Sequence, residues 1–496
     1  MAYISGDRYQ LSFFPQSIDE MVSADDPVRA YDAIIDKIFE EVKPHINYNE
    51  KKAGAHEYNP RNMLKVLVYS YSYGFRSSRK IERALYHNLS YIWISGGIKP
   101  DHWTISDFRR QNTQLIKAVL KSCARLCIKL NLIEGNVLFV DGSKFRADAS
   151  ISNTWNAERC ESEMKRVSKK IEILMDECEK ADMEETGESY VKLKDELRDE
   201  QKRKEKIEAV WEHLKTSGKE SVNTTDPECV KAKGRQGKHA SYNVQLVTDN
   251  KNGLIVSAEA VSEGVDYNQF SKQMKNAEET LGKPPQTGCA DSGYSSVDDL
   301  EQVENKMNVV VPTTRQTNEE REGPSSNEFE KKNFIYDPDR DRYFCPGDRV
   351  LWHVCTKKTG EKIYKAKAKV CRKCKFFNIC TQSKNGRTIT RLKNEEVKER
   401  LEKNYKTTEN QKIYSHRKER AELPFGHIKR NLGAGQFLLR GKEKVNTETS
   451  ILATVFNISR MLTLLGIDGI IDKMGKIGRE FLEKHWENIA NNFLAA

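Results

Sequence analysis

The stretch VLFVDGSKFRADAS, residues 137–150, decides how this chain is read. Val137, Leu138, Phe139 and Val140 form an apolar run after the turn-prone pair Gly135-Asn136, so Asp141 reads as an exposed acid at the tip of a buried strand. A second acid has a similar setting about 150 residues on, in CADSGYSS (289–296). There Gly288, Cys289 and Ala290 suit a short strand that ends at Asp291, and Ser292-Gly293 signals a turn. A third acid, Glu422, lies in YSHRKERAELPFGHIKR (414–430), dense in Arg and Lys, as expected where a carboxylate site meets phosphate backbone. Alone, Asp-Gly and Asp-Ser-Gly are ordinary turn chemistry. Their order, spacing and basic third member support a joint reading. Carboxylates brought together hold two divalent cations about 3.5 to 4 Å apart, a clamp for in-line phosphoryl displacement. Hard oxygen donors favour Mg or Mn.

The chain has 496 residues and a net charge of +10, and its length suggests two to four folding units. The basic residues are clustered. Residues 401–445 hold 11 Lys or Arg against 5 acids, and residues 357–375 hold nine against one. Such blocks are solvated surface or a nucleic-acid footprint, and their position around the candidate acids favours the second. The opening MAYISGDRYQLSFF lacks the basic start and apolar core of a secretory signal. ILATVFNISRMLTLLGIDGII (451–471) contains Asn457, Arg460 and Asp468, so it reads as a buried amphipathic helix rather than a membrane span. Eleven scattered cysteines point to a reducing, cytoplasmic compartment.

Residues 1–133 read as helical, with helices expected from Asp25-Asp26, from Asn59-Pro60, over 77–93 with Ser78 as cap and Leu89 on its apolar face, and over 104–130. Arg79, Lys80 and Arg83 fall on the polar face of the third, which reads as a DNA-binding surface or as the outside of a packing domain. Residues 134–155 open an α/β core. A charged helical hairpin insertion follows at 156–221, turning near Glu184 to Gly187, with 18 acids against 14 Lys or Arg over 157–215, so a main DNA clamp is not expected there. The core continues at 222–312 with a hairpin of SYNVQLVTD (241–249) and LIVSAEAV (254–261), a helix from Tyr267 to Leu281, and strands at Asp291 and MNVVVP (307–312). A basic Cys-containing insertion occupies 313–400, the core ends over 401–470 with the Glu422 helix, and 471–496 form a helical tail. Pro424 puts Glu422 near a helix boundary.

With these pieces in place, the chain resembles bacterial insertion-sequence transposases of the Asp-Asp-Glu type, in particular the insertion sequence 1182-like group with a cysteine-bearing insertion before the Glu. The resemblance runs from about Asp26 to Leu465 and rests on PDHWTISDFRRQN (100–112), the Asp141 block, TTDPE (224–228), SYNVQLVTD, ADSGY and ELPFGHIKR. It implies a ribonuclease H-like mixed sheet core and a metal-binding catalytic triad of Asp141, Asp291 and Glu422. It also implies metal-dependent cleavage and strand transfer, with double-stranded DNA (element ends and target) as partner and a homo-oligomer on the DNA. The implied location is the bacterial cytoplasm and nucleoid. Related enzymes space their last motif as Tyr, two residues, Arg, three residues, Glu, six residues, Lys. Here four residues separate Arg417 from Glu422, and six separate Glu422 from Lys429. Arg417, Lys429 and Arg430 are the expected phosphate contacts. A metal-dependent endonuclease without strand transfer and a catalytically silent DNA-binding protein are the alternatives.

Cys371 and Cys374, with a two-residue gap, and Cys345 before a Pro-Gly turn resemble the halves of a structural zinc site, completed by Cys380 or by Cys355 or His353. The alternative is four reduced cysteines in an insertion poor in apolar residues.

Overall fold

The computed structural model describes residues 17–45, 57–183, 187–234, 237–323 and 327–494. Helix α1 (Pro27–Val42) starts where the Asp26 carboxylate accepts the Val28 N–H at 2.8 Å, and it buries Val28, Tyr31, Ile34 and Ile38 along one face. Helix α2 (Pro60–Ser72) is capped by Asn59 in the same way. The helix expected over 77–93 is two helices, α3 (Ser78–His87) and α4 (Leu89–Ser95). Asn88 leaves helical geometry, and its side chain accepts the N–H groups of Ser90 and Tyr91, offering the backbone a partner outside the helix ladder. Leu89 is therefore exposed, and Ser77 rather than Ser78 holds the cap position of α3. A second asparagine, Asn112, divides the 104–130 segment into α5 (His102–Gln111) and α6 (Thr113–Lys129).

Beyond α6 come β1 (Val137–Arg146), β2 (Thr154–Asn156), α7 (Ala157–Met183), α8 (Gly187–Ser217), β3 (Ser221–Asn223), β4 (Val230–Gly234), β5 (Gly237–Asp249), β6 (Ile255–Val261) and α9 (Phe270–Leu281). Then follow β7 (Thr287–Cys289), α10 (Val297–Glu304), β8 (Asn308–Val310), α11 (Thr314–Glu322), β9 (Ile335–Asp337), β10 (Arg342–Phe344), β11 (Val350–Thr356) and β12 (Lys362–Ala366). The last elements are α12 (Ala368–Arg372), β13 (Thr388–Arg391), α13 (Glu395–Tyr405), α14 (Thr408–Gly426) and α15 (Lys442–Leu494), which breaks at Gly466 with φ 69°. Helix α9 starts three residues later than the sequence suggests. The chain is a mixed α/β protein with helices first and with both antiparallel and parallel strand pairs. It divides into two compact units, one of Met1–Val265, Lys275–Lys283 and Lys418–Ala496, the other of Asp266–Met274 and Pro284–Arg417.

In the first unit β5 is the central strand. β1 lies antiparallel along one side of it, and β4 and β6 share the other. Asp141 is not at a strand tip. It sits mid-strand opposite Leu246, because Gly142 to Arg146 go on pairing with β5 as far as Ser241. Helix α15 satisfies the outer edge of β6 with two side chains. Asn457 accepts the Ile255 N–H and donates to the Ile255 carbonyl, both at 2.8 Å, and Asn446 does the same at Ala260 at 2.7 and 3.0 Å. The spacings agree: 11 helical residues rise about 16 Å, and five strand residues rise about 16 Å. A bulge between β5 and β6 restores the parity that the odd spacing of 255 and 260 would otherwise break.

Lys442–Ile477 is long and apolar enough to cross a membrane by length and composition. Its apolar residues Ile451, Leu452, Val455, Phe456 and Ile458 are nevertheless buried within the unit, and Tyr31 of α1 meets Ser459 at 3.3 Å, as in the core helix of a folded domain. Helices α7 and α8 run antiparallel, joined by Lys170–Glu200 (2.7 Å) and Arg203–Glu163 (3.0 Å), with Val167, Ile207 and Leu214 buried between them. The turn expected at 184–186 lies outside the described residues.

In the second unit β7 and β8 pair in parallel. The insertion at 313–400 is better built than its composition suggests. Strands β9 to β13 form an antiparallel sheet in the order β13-β12-β11-β10-β9 over a core of Phe334, Tyr343, Leu351, Tyr364, Ala366 and Ile389. Tyr364 and Tyr336 both donate to the Asp341 carboxylate, so aromatic rings are buried while their hydroxyls stay satisfied. Burial alone would raise Asp341, but these bonds and Lys362 hold its carboxyl down to about 2.

The asparagine braces set an expectation for stability. Asn457→Leu keeps the volume close but strips both backbone groups of Ile255 of partners, so urea unfolding should report a loss of about 2 to 4 kcal/mol. A loss below about 0.5 kcal/mol, the usual size of a neutral surface change, would show that the brace is dispensable.

Candidate active site

Leu138, Phe139 and Val140 anchor β1 in the core, and half-buried Asp141 follows them, one carboxylate oxygen accepting the Gly142 N–H at 2.9 Å. The segment after Asp141 is held by the π-helical turn His427–Asn431 that follows α14. Lys429 donates to Ser143 Oγ at 2.6 Å and to the Lys144 carbonyl at 2.9 Å, and its ammonium lies 4.4 Å from the centre of the Phe145 ring. Phe145 also packs on Phe425 at 6.2 Å and Phe437 at 5.6 Å. Glu422, three residues before Phe425 and seven before Lys429, is exposed on the last turn of α14. The elements that carry Asp141 and Glu422 are thus fastened together in the first unit.

Pro424 stands inside α14, which passes directly into a π-helical turn at His427–Asn431. A proline has no N–H to return to the carbonyl four residues back, and a widened turn is a known answer to such a lost bond. Glu422 therefore lies close to an α-to-π junction rather than at a free helix end. Gly253, in the β5–β6 turn with φ +68°, is where the chain approaches Leu423 and Arg420; a side chain there would be strained.

Asp291 lies in the second unit, two residues past β7. Its side chain accepts the Gly293 N–H at 2.8 Å and caps the short 3₁₀ turn Ser292–Tyr294. The small residues before it have a packing reason, since a Cβ on Gly288 would come within 2.8 Å of the Phe270 ring and 3.0 Å of the Met274 sulfur. Arg417 stands 5.7 Å from the Tyr414 ring centre. Burial pushes the Cys289 thiol up to about 12, with Arg417 opposing and Asp291 adding to the rise, and burial likewise raises Tyr414 against Arg417. Asp291, Arg417, Tyr414 and Cys289 thus form one electrostatic neighbourhood. A side chain on Gly293 would lie 2.9 Å from an Asp291 carboxylate oxygen and 3.9 Å from one of Asp266, an acid that local sequence does not single out.

Two of the quoted motifs are structural. Asp226 of TTDPE is fully buried and accepts the Tyr242 hydroxyl at 2.8 Å, while Glu228 accepts the Lys442 N–H at 2.7 Å at the start of α15. Arg109 of PDHWTISDFRRQN is buried and donates to the Tyr71 hydroxyl and the Arg76 carbonyl. Arg76 in turn pairs with Glu448 at 3.0 Å, whose own carboxyl is pushed up by burial.

Arg79, Lys80 and Arg83 are all exposed on α3, opposite buried Ile81, Ala84 and Leu85. Tyr86 on the same helix is covered by the Lys99 ammonium at 4.7 Å, and Trp103, beside the His102 that bonds Glu82, is 68 % exposed. Periodicity starts the helix at 104 and so misses Trp103. Arg430 is exposed on the π-helical turn. Among the described residues no three His, Cys, Asp or Glu side chains are arranged as a metal centre.

Two family models match the chain, one described as a transposase DDE domain over residues 344–462 and one as a transposase domain (DUF772) over residues 16–111. Both matches support a bacterial insertion-sequence transposase of the DDE type. The first match takes in Cys345, Cys371, Cys374, Cys380, Arg417, Glu422 and Lys429, the second takes in α1 to α5 with the basic face of α3, and Asp141 and Asp291 lie outside both. No curated protein and no solved structure matches.

In this structure the Lys429 ammonium is engaged as a clamp on β1, which sets an expectation distinct from a phosphate contact. Lys429→Met should lower stability by about 2 kcal/mol in urea unfolding, the scale of a lost charged hydrogen bond. It should leave the salt dependence of DNA binding unchanged. A salt slope smaller by about 0.9 would instead identify a direct phosphate contact.

Proposed function

We propose that this transposase, of the insertion sequence 1182-like group, cuts the ends of its element and joins them to target DNA by Mg- or Mn-dependent phosphoryl transfer on a ribonuclease H-like core. Asp141, Asp291 and Glu422 are the proposed ligands. The observation that carries this reading is the clamp of Lys429 and Phe425 on β1 beside Asp141, which fastens the strand of one acid to the helix of another. The donor set fits the ion, since three carboxylates supply only hard oxygens. When bound, the ions activate the attacking oxygen and neutralise the leaving one.

The chain's own residues do the rest. β1 is paired along its length with β5 and gripped by Lys429, so Asp141 is presented without reorganisation. Arg417 near Asp291, and exposed Arg430, offer guanidinium groups to phosphate oxygens. Arg79, Lys80 and Arg83 supply a duplex-binding face on α3, and two ends call for a homo-oligomer on the DNA.

A labelled duplex carrying the element's ends tests the proposal, since joining, cutting only and binding only are distinct outcomes. Asp141→Asn, Asp291→Asn and Glu422→Gln should each abolish cutting and joining while DNA affinity stays within about twofold, and Glu419→Gln should be active. More than trace activity in any of the three, or loss in Glu419→Gln alone, would contradict the assignment. Replacing Arg79, Lys80 and Arg83 together by Ala should reduce the salt slope by up to about 2.7, at 0.9 per phosphate contact. An unchanged slope would remove α3 from the interface.

A further inference from the structure

The second unit contains a set of thiols that the DNA chemistry does not use. Cys345 directly follows β10 and opens the turn Cys345-Pro346-Gly347-Asp348. Its N–H bonds the Arg349 carbonyl at 2.9 Å, and its sulfur accepts the Arg349 N–H at 3.3 Å, the kind of bond that steadies a metal-bound thiolate. Cys371 and Cys374 lie on one turn at the end of α12, the Cys374 N–H bonding the Cys371 carbonyl at 3.0 Å. Cys380 follows in a second turn closed on Phe376.

All four line a single cavity of about 30 Å³, whose wall includes Leu351, Phe376 and the two cations Arg349 and Arg387, and no carboxylate. That is room for a single small ion or water-sized group. Burial, reinforced by the charges of the other three thiols, raises Cys380, with Arg387 opposing. By contrast Cys355 is exposed on β11, and exposed His353 bonds Thr356, so neither supplies the fourth group.

We propose that Cys345, Cys371, Cys374 and Cys380 bind one structural Zn²⁺. Four thiolates around a divalent ion carry a net charge of −2, and Arg349 and Arg387 stand where they offset it. The four thiols line the same cavity without the tight convergence of a closed metal centre. Closure is expected as the ion binds and displaces the thiol protons to solvent. The site has a clear structural task. Between β12 and β13 the chain makes a long excursion whose regular structure amounts to the five residues of α12 and the bridge Phe377–Thr381. The ion would staple this excursion to the β10–β11 hairpin and fix exposed Lys367, Lys369, Arg372, Lys373 and Lys375 as one basic surface. A site with four protein ligands has no open position and takes no part in catalysis.

The test is the metal content of the full chain purified without chelator and then given equimolar Zn²⁺, with thiol reactivity measured before and after chelation. Wild type and Cys355→Ser should each hold roughly one zinc, and the double variant Cys371→Ser/Cys374→Ser should hold less than about a tenth. Chelation should expose four further thiols. If the double variant does not fold, Co²⁺ in the wild type should give the visible and sulfur charge-transfer bands of tetrahedral thiolate coordination. Zinc below about a tenth in wild type, zinc lost with Cys355→Ser, or an octahedral cobalt spectrum would overturn the site. The proposal stands or falls independently of the carboxylate triad, since its readout is metal stoichiometry and not DNA cleavage.

Discussion

The hold of Lys429 on the backbone of β1 is the interaction on which the candidate site depends. Gly142, Ser143 and Lys144 are poor strand formers and read as a turn, yet they continue an extended strand. Pairing with β5 on one side supplies the ladder, and the Lys429 ammonium satisfies Ser143 and the Lys144 carbonyl. A charged donor that is also packed on Phe145 gains from both the hydrogen bonds and the ring face. The cost is a proline and a π turn in α14, irregularities that place Lys429 and Phe425 against β1 while Glu422 stays exposed. Departures from regular helix at functional positions are common for this reason.

Helix α15 carries the same logic into the rest of the first unit. A sheet edge buried by a helix leaves backbone groups with no water to bond, and two asparagines at matching rise complete the ladder instead. The start of α15 is tied by Glu228 and Asp226, and Glu448 within it is held by Arg76 and by the N–H groups of Leu438 and Leu439. Several of the chain's most recognisable polar residues therefore brace the segment between α14 and α15.

Periodicity is sufficient for the helices, for the β5–β6 hairpin and for the α7–α8 pair, because those elements bury one regular apolar face. It fails where a single side chain competes with the backbone. Asn88 and Asn112 each end a helix that apolar spacing alone would carry through. It fails again in the insertion, where Tyr336, Tyr343 and Tyr364 count as polar in the sequence but fill a core once Asp341 and Arg391 take their hydroxyls. Asp141 is legible as a residue but not in its place on the strand, since the partners that extend β1 lie about 100 and 290 residues away. Asp266 and Trp103 have no local signal, because their interest comes from three-dimensional neighbours and exposure. The cysteine spacing leaves the fourth member open, and only the cavity selects Cys380 over Cys355 and His353.

Divalent ions shared by the three distant carboxylates, as proposed, would leave a chemical trace on the polypeptide itself. Replacing Mg²⁺ by Fe²⁺ in the DNA-bound protein and generating hydroxyl radicals at the metal cuts the polypeptide beside its ligands, and mass spectrometry maps the cuts. Fragments ending around Asp141, Asp291 and Glu422, all suppressed by excess Mg²⁺, are the expected result. Cuts confined to other segments, or cuts at these segments that Mg²⁺ does not suppress, would contradict it.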